Sequence, residues 1–389
     1  MHSTASTPPR VLVADDQNDI LQALRLLLVD ADLTVDLVNS VDGVRERVAS
    51  HSYDLLLMDL NYTRDTTSGR EGLDLIGEVR ARDRHLPIVV MTGWGSIDTA
   101  VEAMRLGARS FVQKPWDDTT LVEVVRREIE EGIAVRRADA RHEREQDEAR
   151  LIQRTLLPTS MPDLEGVSLA AMWNPATGFG GDCYDVLRFD GRAADDTGDR
   201  QRVGLSIADV AGKGLPAALL MSNLQAAVRA FASDRATPEQ VATSVNRLLC
   251  RNIAVGKFVT FCYLLVDRAR GLLTFANAGH NPPLLVRIDG RVETLSSGGM
   301  VLGVLPDATY GQREVPLEPG DRLVLYTDGI TDAESPQGED YGEARLSQAA
   351  AAHRTLSAQA ILDALFADVS SFTGGRFEDD ATLIVAAID

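Results

Sequence analysis

Four short acidic pieces in the last two thirds of this chain have the composition of a metal site: Gly180-Gly181-Asp182, Asp209-Val210-Ala211-Gly212, Thr327-Asp328-Gly329 and Asp379-Asp380-Ala381-Thr382. Each joins an apolar run to a turn, so converging strand ends would bring Asp182, Asp209, Asp328 and Asp379 together as hard oxygen ligands for divalent cations. Two bridged ions held in this way make a water nucleophilic and shield the charge of a phosphate ester under attack. Gly180, Gly181, Gly212, Gly214 and Gly329 would let the backbone turn tightly beside the ions. Val210 could add its carbonyl oxygen. Lys213, between two glycines, either attracts a substrate phosphate or is a solvated loop lysine.

A second set near the N-terminus, Asp15, Asp16 and Asp59 with Thr92 and Lys114, suits a different reaction. A carboxylate accepts a phosphoryl group only when the charge building up in the transition state is neutralised, which calls for a divalent cation and a nearby ammonium. Asp15 and Asp16 can hold the cation, Asp59 can be the nucleophile and Lys114 can supply the positive charge.

These residues must be positioned by regular elements. From Arg10 to Pro115 apolar runs alternate with amphipathic stretches, which predicts a doubly wound α/β domain with a parallel sheet. Asp15, Asp59, Thr92 and Lys114 then fall at the carboxyl ends of strands, the edge where such folds place their chemistry. After Trp116 the apolar residues Leu121, Val124, Val125, Ile129 and Ile133 recur at helical spacing, followed by the charge-rich stretch 136–150. A long helical linker is expected, either pairing with its twin in a homodimer or serving as a solvated spacer. Beyond Val167 strand signals dominate, with helices over 215–231, 238–249 and 358–369, so the second domain is read as α+β, a β-sandwich core flanked by helices. The polar segment 190–202 reads as an exposed loop.

The bulk properties agree with two soluble domains. The chain has 389 residues, 44% hydrophobic and 25% charged, with no apolar run long enough to cross a membrane and no secretory signal, so it is placed in the cytoplasm. Its net charge of -19 repels phosphate backbones and acidic lipid, which argues against nucleic acid and membrane partners. No basic recognition helix follows the linker, so a transcription factor is not expected. Cys183, Cys250 and Cys262 lack metal-ligand spacing, and Cys183 is read as a small apolar filler.

The motifs Val13-Ala14-Asp15-Asp16, Leu57-Met58-Asp59-Leu60, Met91-Thr92-Gly93 and Phe111-Val112-Gln113-Lys114-Pro115 resemble those of the receiver domain of bacterial response regulators. The resemblance implies Mg²⁺ on Asp15, Asp16 and Asp59, phosphorylation of Asp59 by a sensor histidine kinase, and a switch pair of Thr92 and Phe111 beside Lys114. It also implies a cis Lys114-Pro115 peptide. The segment 61–70 is longer than the usual loop after the phospho-acceptor.

The remainder, with Leu151-Ile152-Gln153-Arg154-Thr155-Leu156-Leu157-Pro158, Gly180-Gly181-Asp182-Cys183-Tyr184-Asp185, Ala208-Asp209-Val210-Ala211-Gly212-Lys213-Gly214, Ala278-Gly279-His280, Tyr326-Thr327-Asp328-Gly329 and Asp379-Asp380-Ala381-Thr382, is similar to the metal-dependent PPM family of Ser/Thr protein phosphatases in its SpoIIE and RsbU branch. That resemblance implies two Mn²⁺ or Mg²⁺ ions bridged by Asp209, with Asp328 and Asp379 completing one ion, Asp182 on the other side and Asp380 as a further candidate ligand. It further implies in-line attack by an activated water without a phosphoenzyme, and a substrate carrying phosphoserine or phosphothreonine, an anti-sigma factor antagonist elsewhere in the branch. Lys213 departs from the histidine often found there, and His280 is read as a buried structural histidine. The expected organisation is a flexible tail over 1–9, a receiver over 10–120, a helical linker over 121–158 and a phosphatase domain over 159–389. The competing reading is a phosphorylation-regulated binding adaptor with a catalytically silent phosphatase-like domain, which predicts eroded carboxylates.

Overall fold

The computed structural model describes residues 8–62, 70–93, 97–162, 164–176, 178–192, 199–254 and 256–389. Most of the expected tail, most of the long segment 61–70 and the middle of 190–202 lie outside these residues. The chain divides into two compact units, Met1–Gln146 and Asp147–Asp389.

In the first unit β1 (Arg10–Ala14), α1 (Asn18–Asp30), β2 (Thr34–Val38), α2 (Val41–Ser50), β3 (Leu55–Asp59), α3 (Arg70–Arg82), β4 (Ile88–Thr92), α4 (Ile97–Leu106) and β5 (Ser110–Gln113) alternate strictly. The five strands form one parallel sheet in the order β2-β1-β3-β4-β5. β3 and β4 are buried along their whole length, as near-continuous apolar runs such as Leu55-Leu56-Leu57-Met58 require when helices cover both faces. The register pairs Ala14 with Met58, Asp59 with Met91 and Thr92 with Gln113, so the chemistry-bearing residues share one edge. α5 (Asp118–Leu156) then runs for 39 residues; Leu121, Val125 and Ile129 pack into the first unit's core, and the helix continues past Gln146 into the second unit.

The second unit holds β6 (Val167–Asn174), β7 (Cys183–Arg192), β8 (Asp199–Val210), α6 (Leu215–Phe231), α7 (Pro238–Asn252), β9 (Val259–Asp267), β10 (Leu272–Ala278), β11 (Leu284–Val286), β12 (Val292–Thr294), β13 (Arg313–Pro316), β14 (Arg322–Tyr326), α8 (Asp328–Thr331), α9 (Gly342–His353), α10 (Ala358–Thr373) and β15 (Ala381–Ile388). Two five-stranded sheets result, β13-β10-β9-β8-β7 and β12-β11-β14-β15-β6. Leu205, Ile207, Leu264 and Phe275 of the first sheet share one apolar core with Leu323, Leu325, Ile384 and Ala386 of the second, the interdigitated interior of a sandwich. Helix α7 begins with a reciprocal capping box between Thr237 and Gln240, and α10 ends at Gly374 in the left-handed conformation that a Cβ disfavours. The 190–202 segment departs from the expected loop. Its ends extend β7 and β8, pairing Phe189 with Arg202 and Asp190 with Gln201, because hairpin pairing outweighs the weak strand propensity of polar residues. Helix α9 also lacked a sequence signal, since its alanine-rich run carries little amphipathic pattern.

Candidate metal and phosphoryl sites

At the edge of the parallel sheet, carboxylate oxygens of Asp15, Asp16 and Asp59 lie within 4.8 Å of one another. Lys114 Nζ donates to Asp15 Oδ2 at 2.7 Å and to Asp59 Oδ2 at 2.8 Å. The Asp59 carboxylate is further fixed by the Leu60 amide, 2.8 Å from Oδ1, and Asp15 Oδ1 accepts from the Gln17 amide at 2.9 Å. Burial raises the Asp59 carboxyl above its ordinary value, against the pull of Lys114. Burial alone would lower the Lys114 ammonium, but its bonds to Asp15 and Asp59 outweigh that and raise it. Thr92 is buried at the end of β4, the Phe111 ring on β5 is half exposed, and the Lys114-Pro115 peptide is cis.

The four acidic pieces of the second unit meet because of strand register. Pairing of Cys183 with Ala208 sets Asp182 beside Asp209 at one end of the first sheet. Pairing of Tyr326 with Leu383 sets Asp328 beside the Asp379-Asp380 turn at one end of the second. Asp182 is fully buried, and its Oδ2 accepts from the hydroxyls of Thr327 and Thr382, each at 2.7 Å, which links the two sheets at the site. Burial and the facing carboxylates hold Asp182 and Asp209 above the ordinary carboxylate range; Asp209 feels Asp328, Asp379 and Asp380 in turn. Asp328 is raised by burial and by its neighbours Asp332 and Asp379. Asp379 is half exposed. Among the described residues these carboxylates do not form a three-oxygen cluster as tight as that of Asp15, Asp16 and Asp59.

Glycines make the crowding possible. A Cβ on Gly329 would collide with the Asp380 carbonyl oxygen, and one on Gly181 would lie 2.9 Å from the Val210 carbonyl oxygen. The Val210 carbonyl is therefore turned toward the loop that carries Asp182. Asp380 spends both carboxylate oxygens on backbone, accepting from Ala176 N at 2.9 Å and Gly181 N at 2.6 Å. Lys213 is half exposed, with Nζ on the Glu378 carbonyl at 2.7 Å and 3.2 Å from Asp379 Oδ2. His280 is buried with Nδ1 2.8 Å from Thr260 Oγ1, and Cys183 is a buried free thiol raised by burial.

Two contributors carried no role in the sequence reading. Gln153 on α5 holds Gly180 at two points, Nε2 to the carbonyl at 2.6 Å and Oε1 to the amide at 3.2 Å. Lys257 reaches the Ala211 carbonyl at 2.9 Å. Gln153 belongs to the Leu151–Pro158 motif, whereas Lys257 has no local signal. Among the described residues no helix is long and apolar enough to cross a membrane.

Comparison with known proteins matches stretches of the two units to two families. The model of the response regulator receiver domain matches residues 11–126, and that of stage II sporulation protein E (SpoIIE) matches residues 199–389. Phosphoserine phosphatase RsbU of Bacillus subtilis is 31% identical over 235 residues, covering 60% of this chain and 67% of RsbU. Transcriptional regulatory protein FixJ of Azorhizobium caulinodans is 34% identical over 137 residues, covering 34% of this chain and 61% of FixJ. Among solved structures, the SiaA-PP2C domain of Pseudomonas aeruginosa matches with a TM-score of 0.55 at 26% identity, over 65% of this chain and 99% of that domain. The chain thus belongs to the response regulators that join a receiver domain to a PPM-type phosphatase domain of the SpoIIE and RsbU branch.

Proposed function

We propose that phosphorylation of Asp59 controls metal-dependent hydrolysis of phosphoserine or phosphothreonine on a partner protein. A sensor histidine kinase is the phosphoryl source and an anti-sigma factor antagonist the substrate. The receiver spans 10–120 and the phosphatase domain 159–389, joined by the linker at 121–158. The observation that carries the reading is the meeting of Asp182, Asp209, Asp328 and Asp379, with the Val210 carbonyl, at one end of two packed sheets.

The donor set fits divalent ions. Every candidate ligand is an oxygen, and beyond burial the facing carboxylates raise the proton affinity of Asp182 and Asp209, a repulsion that a hard cation relieves. Bound there, two Mn²⁺ or Mg²⁺ ions would activate a water and shield the phosphate under attack. The residues of the chain preorganise that site: Thr327 and Thr382 fix the Asp182 carboxylate, and Asp380 pins the Gly181 backbone. Cys183, buried with a raised thiol, is unsuited to be a covalent nucleophile, which agrees with direct attack by water.

In the receiver, the tight oxygen cluster of Asp15, Asp16 and Asp59 suits one Mg²⁺, and Lys114 places positive charge beside the oxygen that accepts the phosphoryl group. Regulation is supported by continuity of the chain. The helix that starts four residues after Lys114 also carries Gln153, whose amide group grips Gly180 beside Asp182.

The test is hydrolysis of p-nitrophenyl phosphate by the full chain in chelator, Mg²⁺ or Mn²⁺, for wild type and Asp209→Asn. Metal-dependent turnover that disappears in the variant supports the reading. Folded wild-type protein that turns over neither this ester nor a phosphoserine peptide with any metal would put the adaptor reading ahead.

A further inference from the structure

The turn that follows Asp209 is held from two sides. On one side Gly181 packs against it, so that a Cβ there would lie 2.9 Å from the Val210 carbonyl oxygen and 3.3 Å from that of Gly212. On the other side both backbone polar groups of residue Ala211 are taken by the strand entry at 257–258: the Ala211 amide donates to the Phe258 carbonyl at 3.0 Å, and Lys257 Nζ donates to the Ala211 carbonyl at 2.9 Å. Gly212 has φ +105°, and a Cβ on it would collide with Lys257 Nζ. The ammonium therefore occupies the space that a side chain at 212 would need.

An ammonium hydrogen-bonded to the turn that follows Asp209 has two opposed electrostatic effects. As a charge it disfavours a divalent cation nearby. As a hydrogen-bond donor it fixes a three-residue turn whose first carbonyl faces the Asp182 loop. Lys213 cannot substitute for it, because its ammonium sits on the Glu378 carbonyl beside Asp379.

We propose that Lys257 is a positioning residue for the metal site, holding the Ala211-Gly212 turn so that the Val210 carbonyl faces the ions. The inference rests on the metal-dependent phosphatase reading and adds to it a residue outside the acidic motifs. Its charge works against metal binding and its hydrogen bond works for it, so the sign of the effect on metal affinity identifies which role governs.

The experiment is Mn²⁺ binding to the full chain by titration calorimetry, with p-nitrophenyl phosphate hydrolysis against Mn²⁺ concentration, for wild type, Lys257→Met and Lys257→Arg. The expected result for Lys257→Met is a half-saturating Mn²⁺ concentration raised about 10-fold, the usual scale for loss of an outer-shell partner, with the loss concentrated there rather than in the rate at saturating metal. Lys257→Arg, which keeps a donor, should recover most of the affinity. Unchanged or tighter Mn²⁺ binding in a folded Lys257→Met overturns the inference while leaving the phosphatase reading intact. Wild-type protein that binds no Mn²⁺ overturns both. Lys257→Leu, which likewise lacks a donor, replaces Lys257→Met if that variant does not fold.

Discussion

Asp380 Oδ2 lies 2.6 Å from the Gly181 amide nitrogen, and this bond ties the turn that carries Asp379 to the loop that carries Asp182. The two acids of the Asp379-Asp380 pair therefore differ in work: Asp379 is half exposed at the site, while Asp380 is buried and committed to backbone. A tether acts with or without metal, whereas a ligand matters only when metal is bound. In chelator at neutral pH, Asp380→Asn should destabilise the second unit by about 2 kcal/mol, the scale of a hydrogen bond to a charged group. Calorimetric scans should show a midpoint lower by roughly 4–8 °C. Asp379→Asn, at an exposed position, should shift the same midpoint by no more than about 2 °C. Equal shifts would remove the distinction.

The Thr327 and Thr382 hydroxyls converge on one oxygen of Asp182, so the carboxylate cannot rotate without breaking a bond at 2.7 Å. Thr382→Val keeps the shape and removes the donor. Metal affinity should fall by about 10-fold, as for other outer-shell partners of metal ligands. Thr327→Val, which also loses the acceptor for the Thr382 amide, should cost more. Mn²⁺ titrations of the two variants rank them.

In the receiver, Asp59 and Asp15 share the Lys114 ammonium. Asp59→Asn removes the acceptor oxygen for the phosphoryl group, and Lys114→Met removes the charge beside it. Both should abolish the change in phosphatase rate that acetyl phosphate produces in wild type. Incorporation of labelled phosphate from the donor should vanish in Asp59→Asn. A rate response that survives without incorporation would sever the link between the two units.

What the sequence made legible follows from how locally each feature is encoded. Asp15, Asp59, Thr92 and Lys114 end apolar strands in a strict alternation, so both the parallel sheet and its functional edge could be read from periodicity. The sandwich was legible as strand-rich texture, and the acidic pieces as turns rich in glycine. The division of labour between Asp379 and Asp380 was not legible, because adjacent acids look alike until the β6 to β7 loop folds back to offer the Ala176 and Gly181 amides. Gln153 and Lys257 act on Gly180 and Ala211 over separations of 27 and 46 residues, and no local pattern encodes such contacts. The hairpin extension of β7 and β8 was hidden for the same reason, its polar residues being stabilised by pairing rather than by alternation.

His280 gives the second unit a pH-dependent stability of known sign. Burial, opposed only in part by the Tyr326 backbone, lowers its imidazole from 6.5 to about 4. The folded chain therefore keeps His280 neutral over a range in which the unfolded chain binds a proton there. Stability from this residue is complete above pH 6.5 and is lost as pH falls toward about 4, by up to about 3 kcal/mol. The carboxyls of buried Asp182 and partly buried Asp209 and Asp328 are raised and so act in the opposite direction over their own range, which makes the total slope a poor readout. The difference between wild type and His280→Asn isolates the histidine, since Asn cannot titrate. Denaturant unfolding in chelator at pH 7.5, 6, 5 and 4.5 should show the wild type losing stability relative to the variant at each step below pH 6.5. Parallel curves would mean that His280 takes up its proton in the folded state as readily as in the unfolded one, and that the buried Thr260 contact does not exclude the charged ring.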